Sequence, residues 1–349
     1  MGDGTEHTAG APGGASTRIA PGVAYMTAVF ANLYFVDADG GAPGAWSLID
    51  TGLAHFAGRV CHAAEEHYGQ GARPASIILT HGHFDHAGSA LELAREWDVP
   101  VYAHRLELPY LTGKSDYPPQ DPTVGGALAF LSRFFPHTGY DFGDRVQTLP
   151  ADGSVPGLPG WRALHTPGHT AGHVALFRES NRVLLAGDAL ATENQDSWLG
   201  MMTHRQEFRR PPAPFTTDWI AARRSIELLA SLDPSAVGAG HGIPMTGPGV
   251  PEEFRRFAAN FRPPRKGRYV REPARADEGG VVGLPPPVPD PLPKVVAGVG
   301  LALAAGGLVA AAVRRGGGGG AGRAKKGRSA TGAITSGTRR RLTAGRNRA

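Results

Sequence analysis

Cysteine is nearly absent from this chain of 349 residues, in which Cys61 is the only one. A single cysteine excludes an intramolecular disulfide, and a reducing compartment is the simplest inference. We expect Cys61 to be a small buried side chain rather than a metal ligand or a nucleophile. Residues 1–17 also lack the basic and apolar regions of a secretory signal. Together these absences predict a cytoplasmic protein.

Acidic residues are missing from the C-terminal tail. Residues 314–349 contain eleven Lys or Arg and no Asp or Glu. The net charge of the whole chain is +5, so residues 1–313 carry a net charge of −6. The tail is predicted to be solvated and disordered. Its charge would attract anionic lipid or nucleic acid nonspecifically, and no specific nucleic-acid site is predicted.

Long apolar runs are absent from the chain with one exception. Residues 295–313 contain no polar side chain and are bounded by Lys294 and Arg314. This length suffices for a transmembrane helix, and we interpret residues 294–313 as a candidate membrane anchor. The alternative is a flexible linker, because the run is mostly Ala, Gly and Val. An interfacial segment also stays open. The positive-inside rule would keep the basic tail in the cytoplasm, where an untranslocated N-terminal part would lie too, and one spanning helix cannot have both ends on the same side.

Three histidines and an aspartate stand together at residues 81–86, in the sequence HGHFDH. They follow the apolar run SIILT at residues 76–80, which is typical of a β-strand. Side chains at the C-terminal end of a strand converge on a cleft, and zinc, iron and manganese all accept imidazole and carboxylate ligands. A chance cluster on a polar turn would explain one histidine. Three histidines and an aspartate at this spacing indicate metal binding.

Similar polar residues follow apolar, strand-like runs elsewhere in the chain. The sequence HTPGHTAGH at 165–173 places histidines on a Pro-Gly turn, VLLAGD at 183–188 ends in an acid, and VGAGHG at 237–242 contains one histidine. Upstream, WSLIDTG at 46–52 ends in an acid and a Gly turn. A Gly beside each polar residue permits a tight turn and a close approach of the backbone.

Taken in order, these motifs resemble those of the metallo-β-lactamase superfamily over residues 18–262. They are most similar to the motifs of hydroxyacylglutathione hydrolases and N-acyl-homoserine lactonases. The resemblance implies an α/β protein with a four-layer αββα sandwich. We therefore predict a catalytic domain at 18–262 after a disordered N-terminus at 1–17. A Pro-rich extended linker is predicted at 263–293, before the apolar segment.

The secondary-structure prediction follows the same plan. Strand-like runs at 23–36 and 45–49 flank the turn DADG, which is typical of a hairpin. Helices are predicted at 54–68, 87–97, 216–232 and 251–261.

The resemblance also implies two metal ions, with zinc expected and iron or manganese as alternatives. All seven implied ligands are His or Asp side chains: His81, His83 and His169 for the first ion, Asp85, His86 and His241 for the second, and Asp188 as the bridge. Asp85 is the ligand to which we also assign a catalytic role. Asp50 is expected to accept a hydrogen bond from the free ring nitrogen of a ligand histidine. We interpret His173 as a structural turn residue.

The implied mechanism is attack of a metal-bridging hydroxide on the carbonyl of a thioester, ester or lactone. No Ser or Cys stands in a convincing triad context, and the expected partner is a small-molecule substrate. Two alternatives stay open: a persulfide dioxygenase with one iron, and, less favoured, a membrane-tethered binding protein without catalysis. Aromatic and Met side chains at 113–144 and between Asp188 and His241 are predicted to shape the substrate pocket, although packing onto the core would explain the second segment equally.

Overall fold

The computed structural model describes residues 16–39 and 45–290, which form two large β-sheets. The first sheet has its strands in chain order: β1 (Thr17–Ala20), β2 (Val23–Ala28), β3 (Ala31–Asp37), β4 (Trp46–Ile49), β5 (Ile77–Ile78), β6 (Val101–Ala103) and β7 (Val146–Thr148). The second sheet is ordered β12 (Met245–Thr246), β11 (Ala236–Gly238), β10 (Val183–Leu185), β9 (Val174–Arg178) and β8 (Trp161–His165). A hairpin of β13 (Arg275–Asp277) and β14 (Gly280–Gly283) follows.

Helices cover both sheets, and three apolar cores separate the layers. The α-helices of the described residues are α1 (Ala57–Tyr68), α2 (Ala90–Glu96), α3 (Leu108–Leu111), α4 (Ala127–Leu131), α5 (Trp198–Thr203), α6 (Trp219–Ser231) and α7 (Val250–Ala259). Val60 of α1 and Leu93 of α2 share a core with the first sheet. Ile49 and Leu185 lie in a core between the sheets, and Phe254 of α7 lies in a core on the second sheet. The α/β class and the αββα order of layers therefore agree with the prediction.

The four predicted helices are present as α1, α2, α6 and α7, and each contains fewer residues than predicted. Helix α6 shows why its sequence is helical. Asp218 caps its N-terminus by accepting from the amides of Ile220 at 3.0 Å and Ala221 at 2.9 Å. Its buried residues Ala222 and Ile226 are four apart, which places them on one face toward the core.

The apolar run at 23–36 is two strands rather than the single strand predicted. β2 and β3 pair antiparallel around a tight turn at Val29 and Phe30. The sequence conceals this turn because it contains no Gly, Asn or Pro. Val29 instead adopts a φ of 62°, a conformation that is unfavourable for a β-branched residue. The hairpin predicted around DADG is confirmed by the pairing of β3 with β4.

The parallel parts of the sheets bring the predicted site residues together. β4 pairs in parallel with β5, and β10 with β11. Asp50 directly follows β4, and residues 81–86 come shortly after β5. Asp188 and His241 follow β10 and β11 in the same way. Because the carboxyl ends of parallel strands share one edge of a sheet, each sheet presents its polar residues at a single edge.

Within the described residues, the segment 263–290 is not the free linker that its Pro content predicted. Tyr269 is 2% exposed, and its hydroxyl donates to the Pro119 carbonyl at 2.7 Å. The amide of Ala274 donates to the Thr217 carbonyl at 3.0 Å. The segment packs because it finds backbone acceptors and an apolar contact on the domain, and neither partner is visible from local composition.

Several predicted features lie outside the described residues. These are most of the N-terminus predicted to be disordered at 1–17, the end of the linker at 291–293, the candidate anchor at 294–313 and the basic tail at 314–349. Thr17 already belongs to β1. In the part of the chain that the structure describes, no helix is both long and apolar enough to cross a bilayer. Cys61 packs, partly buried, against the core beneath α1, and burial raises its pKa to about 11.

Candidate metal centre

Asp50 fixes the backbone at the start of the HGHFDH loop. This residue has a φ of 56°, which Asp tolerates better than most residues. Its carboxylate accepts from the Thr80 amide at 2.7 Å and from the Thr80 hydroxyl at 2.8 Å. The other interaction of this carboxylate is with His86 Nδ1, at 2.8 Å. Asp50 therefore holds both the start of the loop and one of its rings, and leaves His86 Nε2 to face the site.

The structure brings all seven predicted ligands together in one cluster, in which every residue is buried except His83, which is partly exposed. They form three overlapping groups, in each of which the potential ligand atoms lie within 4.8 Å of one another: His81, His83 and His169; His81, His86 and Asp188; and Asp85, His86 and His241. The first and third groups are the two sets that the resemblance implied. The second group places Asp188 beside a member of each set.

Asp188 lies at the centre of the cluster. Its Oδ2 is 3.4 Å from His169 Nε2 and 3.2 Å from His241 Nε2, and its Oδ1 is 3.5 Å from His86 Nε2. A Cβ added to Gly240 would lie 2.0 Å from Asp188 Oδ1, so only glycine permits this approach of β11 to the carboxylate. The carboxylate thus reaches histidines of both predicted sets, as a bridging ligand would.

Three buried atoms of this cluster have no hydrogen-bond partner in the described structure: His81 Nε2, His86 Nε2 and Asp188 Oδ1. Leaving buried polar atoms unpaired costs about 1–3 kcal/mol each. The orphaned atoms are nitrogen and oxygen donors of the type that zinc and iron accept. The residues present therefore fit bound metal ions.

Burial keeps several of these histidines neutral, as ligation requires. It lowers the pKa of His83 to about 3 and holds the pKa values of His81 and His169 well below their usual range. His241 behaves differently. Burial lowers its pKa as well, but the neighbouring carboxylates of Asp188 and Asp85 outweigh that effect and raise it to about 9.

His173 supports Asp188 from the protein side. Its Nε2 accepts from the Asp188 amide at 2.9 Å, and its Nδ1 lies 2.9 Å from the Thr166 hydroxyl. Because Nε2 is an acceptor, a neutral ring carries its proton on Nδ1 and donates to Thr166. Both ring nitrogens thus have protein partners, which agrees with the structural role predicted for His173.

Sequence reasoning missed Glu107, a fully buried carboxylate beneath the cluster. It accepts from the amide of Gly82 at 3.0 Å and from the amide of Gly172 at 2.9 Å. It also accepts from the hydroxyl of Thr170 at 2.6 Å and from that of Tyr117. Glu107 therefore ties the HGHFDH loop to the loop that carries His169. Nothing in its local sequence marks it, because all four partners are distant along the chain.

An apolar pocket of about 200 Å³ opens over the cluster. Its lining includes Asp85, Asp188 and three of the candidate histidines, and the other lining residues are Phe30, Phe84, Leu128, Leu131, Phe135, Glu193, Gln195, Met201, Pro212 and Phe215. Both segments predicted to shape the pocket contribute, the first through Leu128, Leu131 and Phe135, the second through Met201 and Phe215. Among the described residues, those lining the pocket include no Lys or Arg.

Several other residues of the second segment, between Asp188 and His241, do not line the pocket. Trp198 and Met202 are exposed, and Phe208 packs in the core of the second sheet. His204 Nδ1 lies 2.8 Å from the carboxylate of Glu193, at the edge of the pocket.

A comparison with protein families decides which one this chain belongs to. The family model described as the metallo-beta-lactamase superfamily matches residues 26–241. The chain belongs to this superfamily. It is 46% identical over 246 residues to the probable metallo-hydrolase YflN of Bacillus subtilis, covering 70% of this chain and 93% of that protein. It is 30% identical over 114 residues to the hydroxyacylglutathione hydrolase GloC of Haemophilus influenzae, covering 33% of this chain and 49% of GloC.

A solved structure shares the fold. The crystal structure of a beta-lactamase domain protein from Burkholderia ambifaria matches with a TM-score of 0.51 and 20% identity, over 73% of this chain and 74% of that one. The superfamily membership and the metallo-hydrolase relatives make this chain a hydrolase with a metal-binding fold.

Proposed function

We propose that the protein is a binuclear metal hydrolase, with zinc as the expected metal, that hydrolyses an ester, thioester or lactone bond. The observation that carries this proposal is the pair of complete donor sets joined at Asp188, with three orphaned buried donor atoms between them. When bound in such a site, two metal ions lower the pKa of water and polarise a carbonyl, which supplies both nucleophile and electrophile.

The residues of the chain set the geometry for that reaction. His81, His83 and His169 would hold one ion and Asp85, His86 and His241 the other, with Asp188 shared. Asp85 also lines the pocket. It is the carboxylate of the second donor set, and we assign it the catalytic role of accepting a proton from the attacking water.

The pocket favours an uncharged, apolar acyl group. Phe30, Phe135 and Phe215 supply aromatic walls, and among the described residues no Lys or Arg lines the pocket. A glutathione thioester carries two carboxylates, which would lose solvation against these walls without gaining a Lys or Arg as a partner. Esters, lactones and thioesters of apolar acids are consequently the preferred substrates.

The two alternatives are less well supported. A dioxygenase with one iron would use one donor set, whereas Asp85, His86 and His241 form a second complete set. A binding protein without catalysis would not require the three unpaired buried atoms. Without a bound metal these atoms would only lower the stability of the fold.

A substrate panel with metal-loaded protein tests the proposal. Apolar esters, lactones and thioesters should be hydrolysed, whereas glutathione thioesters should be poor substrates. The Asp85→Ala and His86→Ala variants should remain folded and lose turnover, because each change removes a donor of the second set only. Wild-type rates in either variant would contradict the binuclear assignment.

A further inference from the structure

Five large apolar side chains are exposed together beside the pocket. These side chains, here called the mouth patch, are exposed to between 42% and 78%: Phe130, Phe134, Trp198, Leu199 and Met202. The Phe130 ring lies 6.5 Å from the Phe134 ring and 6.0 Å from the Trp198 ring. Every exposed Phe or Trp among the described residues lies in this patch. A contiguous apolar surface of this kind marks an interaction site.

The mouth patch is continuous with the pocket wall. Helix α4 turns Leu128 and Leu131 toward the pocket while Phe130 is exposed, and α5 turns Met201 inward while Trp198 is exposed. Backbone hydrogen bonds join the two segments, since the Leu128 amide donates to the Gln195 carbonyl at 3.1 Å. Whatever covers the patch therefore also faces the entrance to the candidate metal centre.

The described chain ends at the same place. Asp290 accepts two hydrogen bonds from Arg133, at 2.7 and 2.9 Å. Arg133 stands between Phe130 and Phe134 of the patch in α4 and the turn that follows, and its guanidinium lies 5.6 Å from the centre of the Phe130 ring. Five residues later the apolar run 295–313 begins.

We propose that the mouth patch docks on a lipid bilayer, with the pocket entrance turned toward the membrane. In the sequence, the apolar run 295–313 begins five residues after Asp290 and suits a lipid phase, and the eleven basic residues of the tail match an anionic surface. Trp198 lies where a membrane-interface tryptophan is expected. This inference about the substrate rests on the proposed function. The substrate class is an amphiphilic ester or thioester whose apolar acyl chain enters the pocket from the lipid phase.

Tryptophan fluorescence tests the docking directly. The chain has five tryptophans, of which Trp46, Trp97, Trp161 and Trp219 are buried and Trp198 is 54% exposed. Full-length protein is mixed with vesicles of phosphatidylcholine and phosphatidylserine that carry brominated acyl chains, which quench tryptophan at the membrane surface. The emission of Trp198 should be lost. Trp198→Phe should abolish this quenching while the protein still sediments with the vesicles.

Matched variants separate the patch from general surface hydrophobicity. Phe134→Ser combined with Met202→Ser should weaken the quenching of Trp198, with a shift of about tenfold in the lipid concentration required. The pair Ile220→Ser and Leu228→Ser, which removes exposed apolar side chains of α6, should leave it unchanged. Equal effects of both pairs would contradict the proposal.

Three further results would overturn the proposal. Sedimentation without quenching would mean that residues 295–313 anchor the protein while the patch does not touch the membrane. A lack of sedimentation would exclude a lipid surface altogether. Protection of Trp198 from acrylamide in lipid-free solution would mean that a second copy or the apolar run itself covers the patch. None of these measurements depends on turnover, so quenching without hydrolysis would contradict the proposed function alone.

Discussion

At the scale of single residues, the candidate centre depends on carboxylates held in place by their neighbours. Asp188 is surrounded by His86, His169 and His241, and its backbone amide is fixed by His173. The charges of His241 and His86 keep the pKa of Asp188 well below its usual range, although burial opposes them. This residue therefore remains a carboxylate, which is the form that a bridging ligand requires.

Replacing Asp188 tests the bridge. Asp188→Asn should impair both metal positions together, because the change removes the negative charge that they share and replaces one of the two carboxylate oxygens by an amide nitrogen. We expect metal content and turnover both to fall, with turnover lower by at least about a hundredfold. Metal analysis and steady-state rates check this. Retention of two ions per chain with normal activity would show that Asp188 is not the bridge.

Glu107 offers a test of a residue that does not touch the metal positions. Glu107→Gln leaves a single side-chain oxygen for four donors and sets an NH₂ group against them, so the cost is expected to be about 1–3 kcal/mol in the free energy of unfolding. Metal affinity should fall by about 10–100-fold, because the two ligand loops lose their common partner. Denaturant unfolding and metal titration measure both effects. Glu66→Gln on the exposed face of α1 is the control, and equal behaviour of the two variants would exclude this role.

At the scale of elements, short structures build the pocket over a rigid frame. The β2–β3 turn places Phe30 with its ring centre 6.1 Å from those of His241 and Phe135. Phe135 also packs against Phe84, at 5.3 Å. The parallel strands fix the polar residues, whereas the turn, α4 and α5 determine which acyl groups fit above them.

Truncating one pocket wall should change selectivity. Phe135→Ala removes aromatic surface from the acyl-binding side, so kcat/KM for an apolar acyl ester should fall by about tenfold, while that for an acetyl ester should change less. Phe134→Ala is the matched control, since Phe134 is 74% exposed and does not line the pocket. Equal losses for both esters would mean that Phe135 does not contact the acyl group.

Much of this organisation was predictable, for a physical reason. The site residues follow apolar, strand-like runs, and the resemblance to the superfamily then implied which of these side chains meet. Glu107 was not predicted because its partners, two amides and two hydroxyls, lie between 10 and 65 residues away along the chain. The turn at Val29 was not predicted, because its backbone conformation is imposed by the surrounding sheet and not by the local sequence. The packing of residues 263–290 depends on acceptors such as the Pro119 carbonyl, which no local composition reveals.

At the scale of the whole molecule, the candidate centre lies between Asp50 and His241, within the unit Met1–Asp290. Deleting residues 294–349 should therefore leave hydrolysis of a soluble ester intact, because it removes no residue of the centre and keeps the Arg133–Asp290 ion pair. Turnover of the truncated and full-length chains checks this. A large loss of activity on truncation would place part of the active site in the C-terminal residues.

The same deletion should change where the protein resides. If residues 295–313 anchor the protein, the full-length chain should sediment with membranes and resist extraction with high salt. Salt alone should release a protein held only by its basic tail, because exposed charges are screened. Full-length protein that stays soluble at low salt would exclude both modes of association.

The central claim is that two metal ions occupy one hydrolytic centre, and metal stoichiometry measured alongside activity tests it most directly. Protein expressed without added metal should contain two zinc ions per chain, lose esterase activity when they are removed by a chelator, and regain it on reconstitution. A single iron per chain that supports persulfide oxidation, or a folded protein with no bound metal, would contradict the account.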